Sequence, residues 1–476
     1  MKKKLNSKKP DKYKFLIPPK LSSSLTEEVC SPLWKKIISS IENQEVETIL
    51  EIVKGIDTCK SILHLPHPFL DGVDTFPVTS MRQGMCNFIF FHDSTNRHRW
   101  ILCQSTSFVD AIFSETHSGK HNSSPNDNQI LNHINRVIKN YNKAGLTQNW
   151  AEQAIFSGYL LDQLRPYHHF YDQLKWLVHL ETKMPIISNN SFFIPNNLKR
   201  RTPSMKDQPS FSMFPLVIGS TQLGTKLDKY TDKMEKFVHD DCLKKFHENI
   251  IDYGWGKAIN ALKKLTGKNR TLTLWFGISG QKRIWVEQED FLPTLIENLK
   301  PWFDSFVFLI DGFTQYEYTD GRPIKGSKST PISQDLVVVD SIRQKLLPYS
   351  NASIVSLVGQ TYRKKIQQCQ SADFFIANAG AGQLVPHRFC KKPGILHSNE
   401  KHCVFSMGIN NTTVKLVDKS LVKDVGNLFA SDRSKKADTF GSGLISYSIH
   451  IEIVINMIIE MLNLQEQAMS TTTDIK

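Results

Sequence analysis

The feature that most constrains the fold of this chain is a regular alternation of apolar runs and helix-like segments beyond residue 270. Strands buried on both faces of a sheet are continuously apolar, and parallel strands need a crossover connection that is usually a helix. The apolar runs lie at 272–279, 305–312, 352–359, 372–380 and 392–398. The intervening helical patterns lie at 286–303, 334–348 and 361–370. The C-terminal half is therefore predicted to be α/β, with a doubly wound parallel sheet.

The sequence of the N-terminal half predicts a mixed arrangement of helices and strands. Two strands flank a DSTN turn within 86–104, helices are expected across 147–182, and FPLVIGST (214–221) is expected to be a buried strand. The segment KKLTGKNR (263–270) has the composition of a linker. The predicted organisation is a basic disordered tail at 1–20, a first domain at 21–265, a second at 266–440, and a terminal helix with tail at 441–476.

Positive charge is concentrated at the start of the chain. The formal net charge is +13, and the first twenty residues, with eight Lys and one Asp, contribute +7 of it. Such a tail is expected to be solvated, with weak attraction to an anionic membrane surface as the alternative; nucleic acid is not an expected partner. The apolar run 444–462 carries Glu452 and Glu460, so it is not expected to span a membrane. The predicted location is the cytoplasm, with a peripheral position at the inner face of the membrane as an option.

Nothing in the sequence predicts a metal site or a resident cofactor. The eight cysteines are scattered and form no CxxC pair. His239, Asp240 and Asp241 are consecutive, and consecutive residues of a helix point about 100° apart, so they would not converge on an ion. Any reaction of this chain is expected to be metal-independent.

Small and charged residues follow the predicted strands of the C-terminal half, at the edge where parallel sheets bind ligands. Helix N-termini there offer free N–H groups, and small residues let an anion approach them. Lys282 and Arg283 would neutralise phosphate groups. A diphosphate-bearing ligand is therefore predicted, with tight turns and solvated cations as the alternative. The residues so predicted from the first two strand ends are Ser279, Gly280, Lys282, Arg283 and Asp311.

The segment SIVSLVGQTYRKKIQQCQSADFFIANAGAGQLVPHRFCKKPGILHS (353–398) resembles the nucleotide-sugar domain of GT-B glycosyltransferases. The nearest parallels are heptosyltransferase-like proteins and enzymes with an HGAG-type turn, and the likeness covers about residues 270–400. It implies a two-domain GT-B architecture with a Rossmann-like donor domain at 266–440 and an acceptor domain at 21–265. Asn378 stands where the HGAG family has His, which puts any role of that His in doubt. The donor-site residues implied are Gly359, Gln360, Thr361, Asn378, Gly380, Ala381, Gly382 and Gln383.

RPYHHFYD (165–172) is the most unusual segment of the N-terminal half, a dense group of donors, acceptors and titratable residues. His168, His169 or Asp172 is a candidate general base, since a His side chain titrates near neutral pH. His168 and Asp172 are four residues apart, so on a helix they would share a face and could pair. The alternative is a structural polar cluster that ties two helices together.

These observations together predict a glycosyltransferase that moves a sugar from a nucleotide-sugar donor to a hydroxyl of a saccharide or lipid-linked saccharide. By analogy with the family, bacterial surface polysaccharide synthesis is the expected context. One alternative is another α/β nucleotide-sugar enzyme, such as an epimerase. A second is a binding or scaffold protein of the same fold without turnover.

Overall fold

The structure is a computed structural model in which the chain forms two compact units, Met1–Met234 and Glu235–Lys476. The sequence places the domain boundary at 265/266 instead, and that region lies outside the described residues, as does most of the predicted tail at 1–20. The residues that the structure describes are 15–18, 21, 25–58, 63–120, 127–144, 154–161, 163–201, 210–215, 217–218, 228–243, 270–318, 322–324, 329–403, 413–426, 428 and 444–462.

A six-stranded antiparallel sheet, with its strands in sequence order, is the larger sheet of the first unit. The hairpin predicted around the DSTN turn is confirmed as its third and fourth strands. The strands are β1 (Leu65–Pro66), β2 (Asp74–Gln83), β3 (Cys86–His92), β4 (Arg99–Gln104), β5 (Ala111–Ser114) and β6 (Ser118–Lys120). The helices around it are α1 (Leu25–Glu28), α2 (Pro32–Glu42), α3 (Val46–Thr58) and α4 (Asp127–Ala144).

A second, parallel sheet of the first unit corrects two predictions. The prediction of helices across 147–182 is wrong at 155–160, where the chain forms a strand that pairs with another strand on each side. Periodicity does not separate helix from strand in so short an apolar run. The strand expected at 214–221 is wrong for its described residues, because the sheet uses 210–213 instead. The strands, in spatial order, are β10 (Ser210–Met213), β7 (Ile155–Leu160), β8 (Ile186–Ile187) and β9 (Arg200–Arg201).

One helical segment of the first unit carries the predicted His-rich motif. It consists of α5 (Pro166–His168), a π-helical stretch (His169–Leu174) and α6 (Lys175–Leu180). The next helix, α7 (Asp228–Leu243), belongs to the first unit up to Met234 and to the second from Glu235.

All six strands of the sheet in the second unit run parallel, which confirms the predicted α/β class with a parallel sheet. Numbered from the first of them, the spatial order is 3-2-1-4-5-6, the order of doubly wound nucleotide-binding sheets. The strands are β11 (Thr271–Gly277), β12 (Ser305–Asp311), β13 (Ala352–Ser356), β14 (Phe374–Asn378), β15 (Gly394–His397) and β16 (Val414–Leu416).

The connections of this sheet are largely the predicted helices. They are α8 (Gln288–Leu299), α9 (Ser329–Leu346) and α10 (Tyr362–Cys369). Their apolar faces and the strands form one core that includes the fully buried Phe276, Phe308 and Ile376. Burial of each such side chain contributes about 1.5–3 kcal/mol. After β14 the chain forms a 3₁₀ turn (Ala381–Gln383) and then a π-helical turn (Leu384–Phe389).

The last part of the second unit ends in a helix with one buried face. A 3₁₀ turn (Lys419–Leu421) precedes an antiparallel pair, β17 (Lys423–Gly426) and β18 (Ser446–Ser448), which the sequence does not predict. The terminal helix α11 (Ile451–Met461) then packs on α8 and β15. Among the residues that the structure describes, no helix is both long and apolar enough to cross a membrane.

Candidate functional site

The loops that follow the first four strands of the parallel sheet lie along its carboxyl edge, and direct contacts join them. Asp335 of α9 accepts hydrogen bonds from the backbone N–H of Gly280, at 2.7 Å, and of Phe313, at 2.6 Å. The N–H of Gln315 donates to the carbonyl of Gln360 at 3.2 Å. The strand order reverses between β11 and β14, so the loops beginning at 278 and 379 flank the position where such sheets bind ligands.

Arg283 lies between these two loops. Its Nη1 donates weakly to the carbonyl of Ala379 at 3.4 Å, and its own carbonyl accepts from Asn378 at 3.3 Å. Its Nε is buried without a hydrogen-bond partner, and among the described residues it forms no ion pair. Its backbone is left-handed, at φ 50°, which is uncommon for a long side chain. Burial lowers the pKa of Arg283, and the charge of Tyr447 opposes that fall.

The loop after β15 adds cations to this edge. Burial lowers the pKa of His402, and the positive charges of Arg283, Lys401 and Lys282 lower it further. The side chain of Lys282 itself is exposed. Sequence reasoning missed His402 because its proximity to Arg283 arises only from the pairing of β14 with β15.

Gly380 gives the loop after β14 its shape. Its φ of 106° and ψ of −130° belong to a region that is essentially restricted to glycine. A Cβ at this position would lie 3.2 Å from Nη1 of Arg283. Ala381 is exposed and Gly382 is half-buried, whereas Gln383 is buried with its Oε1 3.1 Å from Nδ1 of His387. Gly380 and Ala381 thus remain candidate ligand contacts, and Gln383 has a structural partner.

Gln360 and Thr361 lie at the start of α10. Thr361 caps this helix, its hydroxyl accepting the backbone N–H of Lys364 at 3.3 Å. Gly359 precedes them with a φ of 75°. The side chain of Thr361 is buried and that of Gln360 is half-buried, so Gln360 is the better placed of the two for a ligand.

Asp311, Ser279 and Gly280 are occupied by contacts within the protein. Asp311 forms a buried ion pair with Lys365 at 2.6 Å, and Lys365 also donates to the carbonyl of Gly312 at 2.7 Å. The hydroxyl of Ser279 donates to the carbonyl of Lys282 at 2.6 Å. A Cβ on Gly280 would lie 2.5 Å from the carbonyl oxygen of Gln334. These residues shape the edge of the sheet rather than present free groups.

Asn378 begins a buried hydrogen-bond chain. Its Nδ2 donates to the hydroxyl of Tyr447 at 2.9 Å, and that hydroxyl lies 2.7 Å from Nδ1 of His397. Burial lowers the pKa of His397 to about 3, so the ring is neutral. The amide of Asn378 is thus turned toward the buried Tyr447 hydroxyl. The sequence does not reveal Tyr447, which lies 69 residues beyond Asn378.

The segment 165–172 of the first unit, which contains the candidate general bases, has one partly exposed histidine and one buried histidine. Nδ1 of the partly exposed His168 lies 2.6 Å from a carboxylate oxygen of Asp172, the pairing that the sequence predicts. Because a carboxylate accepts, Nδ1 carries the hydrogen and Nε2 keeps a lone pair. His169 is fully buried against the carbonyl of Phe193, at 3.0 Å, and burial lowers its pKa to about 3. Its position favours a structural role.

Lys175 also belongs to this segment, and sequence reasoning missed it. Its side chain is fully buried, its Nζ has no hydrogen-bond partner among the residues that the structure describes, and it lies 4.5 Å from the centre of the Trp176 ring. Burial lowers the pKa of Lys175 to about 8, and the charge of Asp172 opposes that fall.

Metal-binding side chains do not cluster within the part of the chain that the structure describes. Asp241 faces Arg363, 3.2 Å away, while Asp240 pairs with Lys236 at 2.6 Å. His239 lies 3.3 Å from Asp240. The three consecutive residues thus have different surroundings, as expected for a helix.

No family model, curated protein or solved structure matches this chain. Its class rests on the fold: a mixed α/β protein whose second unit contains a six-stranded parallel sheet with helices. The carboxyl edge of that sheet carries a positively charged site beside Gly380.

Proposed function

We propose that the second unit binds a nucleotide-sugar through its diphosphate, and that the chain is a metal-independent glycosyltransferase of the GT-B type. The observation that carries the proposal is the partly buried guanidinium of Arg283, without a carboxylate partner among the described residues. Burying an unpaired charge is costly, and an anionic ligand would remove that cost. Gly380 supports the proposal, since its lack of a side chain leaves room beside that guanidinium.

A dinucleotide cofactor is a weaker candidate for this edge. In dinucleotide-binding sheets an acid beyond the glycine turn binds a ribose hydroxyl. Asp311 is the acid at the end of the second strand, but Lys365 already holds it. The segment 278–287 also separates β11 from α8, so this helix does not start at the strand end. Both observations favour a ligand held by the loops after β14 and β15.

In the proposed reaction His168 of the first unit is the general base. Its Nε2 removes the proton from an acceptor hydroxyl, whose oxygen then forms a bond to the anomeric carbon of the donor sugar. The bond between that carbon and the diphosphate breaks, and the electron pair leaves on a phosphate oxygen. Arg283 and Lys282 stabilise the charge of the departing diphosphate. Asp172 orients His168 through its Nδ1–H, as the third group of a catalytic triad does.

The acceptor is proposed to be a saccharide or lipid-linked saccharide, in a cytoplasmic enzyme of bacterial surface polysaccharide synthesis. This assignment rests on the likeness of segment 353–398 to GT-B enzymes. Attraction of the Lys-rich tail to an anionic membrane surface belongs to the same proposal.

Thermal unfolding with UDP-, GDP-, CMP- and ADP-sugars tests the donor site. A ligand at a hundred times its Kd stabilises the native protein by about 2.7 kcal/mol, so one of these classes should raise the Tm. Arg283→Ala should abolish the rise. Arg343→Ala is the matched control, because Arg343 is an exposed arginine of the same unit that pairs with Asp340. Equal ligand stabilisation of wild type and Arg283→Ala would exclude this site.

Product analysis separates the remaining alternatives. A transferase releases the nucleotide only when an acceptor is present, whereas an epimerase changes the sugar and leaves the diphosphate bond intact. A scaffold protein would show no response to any nucleotide. Loss of nucleotide release in His168→Ala, with donor binding retained, is the result expected for a base.

A further inference from the structure

Asn378, at the end of β14, has a side-chain amide whose orientation is fixed by two contacts. Its Nδ2 donates to the backbone carbonyl of Arg283 at 3.3 Å and to the hydroxyl of Tyr447 at 2.9 Å. A backbone carbonyl can only accept, so the nitrogen of the amide is the atom that faces Arg283. Both hydrogens of the amide are therefore used within the protein, and Oδ1 is the polar atom that remains.

Oδ1 of Asn378 accepts no hydrogen bond from the residues that the structure describes, and the side chain is only half-buried. The neighbouring loop leaves space beside it. A Cβ at the half-buried Gly382 would lie 3.6 Å from Cβ of Asn378, so a side chain at 382 would lie against that of Asn378. Oδ1 is thus an acceptor of fixed position at the carboxyl edge of the sheet, where parallel sheets bind ligands.

The guanidinium of Arg283 lies next to this acceptor without bonding to it. Its Nη1 is 3.4 Å from the carbonyl of Ala379, the residue that follows Asn378, and its Nε has no partner among the described residues. This edge therefore presents a cation and a hydrogen-bond acceptor that do not satisfy each other. A ligand complementary to both carries an anionic group and, close to it, a hydrogen-bond donor.

A nucleotide-sugar has this pair of groups, because a sugar ring adjoins each end of its diphosphate. The ribose lies on one side and the transferred sugar on the other, and the hydroxyls of both rings can donate. The nucleobase lies farther away, beyond the ribose. We infer that Oδ1 of Asn378 accepts a hydrogen bond from a hydroxyl of the sugar ring whose phosphate binds Arg283. The inference rests on the proposed donor site and deepens it, since it names the group by which this edge distinguishes a sugar phosphate from other phosphate esters.

The affinities of four phosphate esters for the full chain, measured by calorimetric titration, test this inference. Glucose 1-phosphate is compared with cyclohexyl phosphate, and ribose 5-phosphate with tetrahydrofurfuryl phosphate, because the second compound of each pair keeps the ring and lacks its hydroxyls. Wild type should bind at least one sugar phosphate about fivefold more tightly than its partner compound, as expected for one hydrogen bond. The pair that shows this preference identifies the ring as the transferred sugar or the ribose.

Two asparagine variants make the preference specific. Asn378→Ala should abolish it, whereas Asn351→Ala should retain it. Asn351 is the matched control, since its Nδ2 also donates to a backbone carbonyl, that of Asp304, and it precedes β13 at the opposite edge of the same sheet. Comparing two ligands within each protein removes any general effect of a substitution on the site. An equal preference in wild type and Asn378→Ala, or no preference in wild type, overturns the inference.

Inorganic pyrophosphate, which has no hydroxyl-bearing ring, separates these outcomes from failure of the donor site. Wild type and Asn351→Ala should bind it, and Arg283→Ala should not. Asn378→Asp keeps the size of the side chain and places a carboxylate beside the anion, so it should weaken pyrophosphate binding about tenfold. Unchanged binding in Asn378→Asp would place Asn378 away from the anion and refute its proposed contact. Absence of pyrophosphate binding by wild type refutes the donor site, and the inference falls with it.

Discussion

At the scale of single residues, the conformation of Gly380 and the position of Arg283 depend on each other. Arg283 adopts a left-handed backbone conformation, which is disfavoured for a side chain of its length. Its guanidinium then lies so close to Gly380 that a Cβ there would be 3.2 Å from Nη1. Strained backbone of this kind persists where the surroundings determine it, and it is frequent at functional sites.

Gly380→Ala and Gly426→Ala separate strain from function. Both glycines have a positive φ, 106° and 89°, so each alanine should cost about 1–3 kcal/mol of stability. A Cβ on Gly426 would meet nothing within 4 Å, whereas that on Gly380 would displace the guanidinium of Arg283. Only Gly380→Ala should therefore lose the stabilisation by a nucleotide-sugar in thermal unfolding. Equal losses of ligand stabilisation in both variants would contradict the role of Gly380.

At the scale of elements, helix α9 fixes the carboxyl edge of the sheet through Asp335. This buried carboxylate binds the N–H of Gly280, after β11, and the N–H of Phe313, after β12. Burial raises the pKa of Asp335 to about 6, despite both hydrogen bonds. The ionised side chain thus holds two loops at a cost in desolvation.

Asp335→Asn tests this cost through its dependence on pH. Because the pKa of Asp335 is raised in the folded protein, its carboxyl contributes most to stability below pH 3.8, the ordinary pKa of the group. This contribution is lost as the pH rises through about 6, the pKa in the folded protein. The advantage of wild type over the variant should shrink between pH 4 and pH 7, by at most about 1.4 kcal/mol per pH unit. Urea unfolding of both proteins, followed by hydrogen exchange in peptides of the second unit, measures it. A difference that stays constant with pH would argue against a raised pKa.

At the scale of the whole molecule, the second unit includes the last part of α7. Glu235 is fully buried there and receives Nε of Arg388 at 2.6 Å and the ammonium of Lys391. Asp241 is buried as well and receives Arg363 at 3.2 Å. These acids neutralise cations of α10 and of the segment after β14, so α7 contributes to the integrity of the unit.

Two fragments of the chain test the extent of this unit. A fragment of residues 228–476 retains Glu235 and Asp241, whereas a fragment of residues 266–476, cut at the boundary predicted from the sequence, lacks them. Breaking a buried ion pair by removing one partner costs about 3–5 kcal/mol, so the shorter fragment should unfold at a much lower urea concentration. Asp240→Ala in the longer fragment is the control, because its exposed pair with Lys236 contributes only about 0–1 kcal/mol. Equal urea midpoints for the two fragments would place the boundary near 265.

The order of elements in the second unit could be predicted because it depends on local pattern. Runs such as SFVFLIDG (305–312) have a continuous apolar centre, which is typical of strands buried on both faces. The pairing of His168 with Asp172 was predictable for the same reason, since a spacing of four residues along a helix brings two side chains together. Local pattern failed at 155–160, where a short apolar run fits a helix as well as a strand.

Contacts between distant segments decided the rest, because the sequence carries no sign of which polar groups meet. Asp311 resembles a ligand contact until Lys365, 54 residues later, is found against it. His168 and His169 are neighbours with the same chemistry. His169 is buried against the carbonyl of Phe193, whereas His168 is partly exposed. His402 and Arg283 share an edge only because β14 and β15 pair. Sequence periodicity thus determined which elements form, and tertiary packing determined which charges are paired and which side chains are buried.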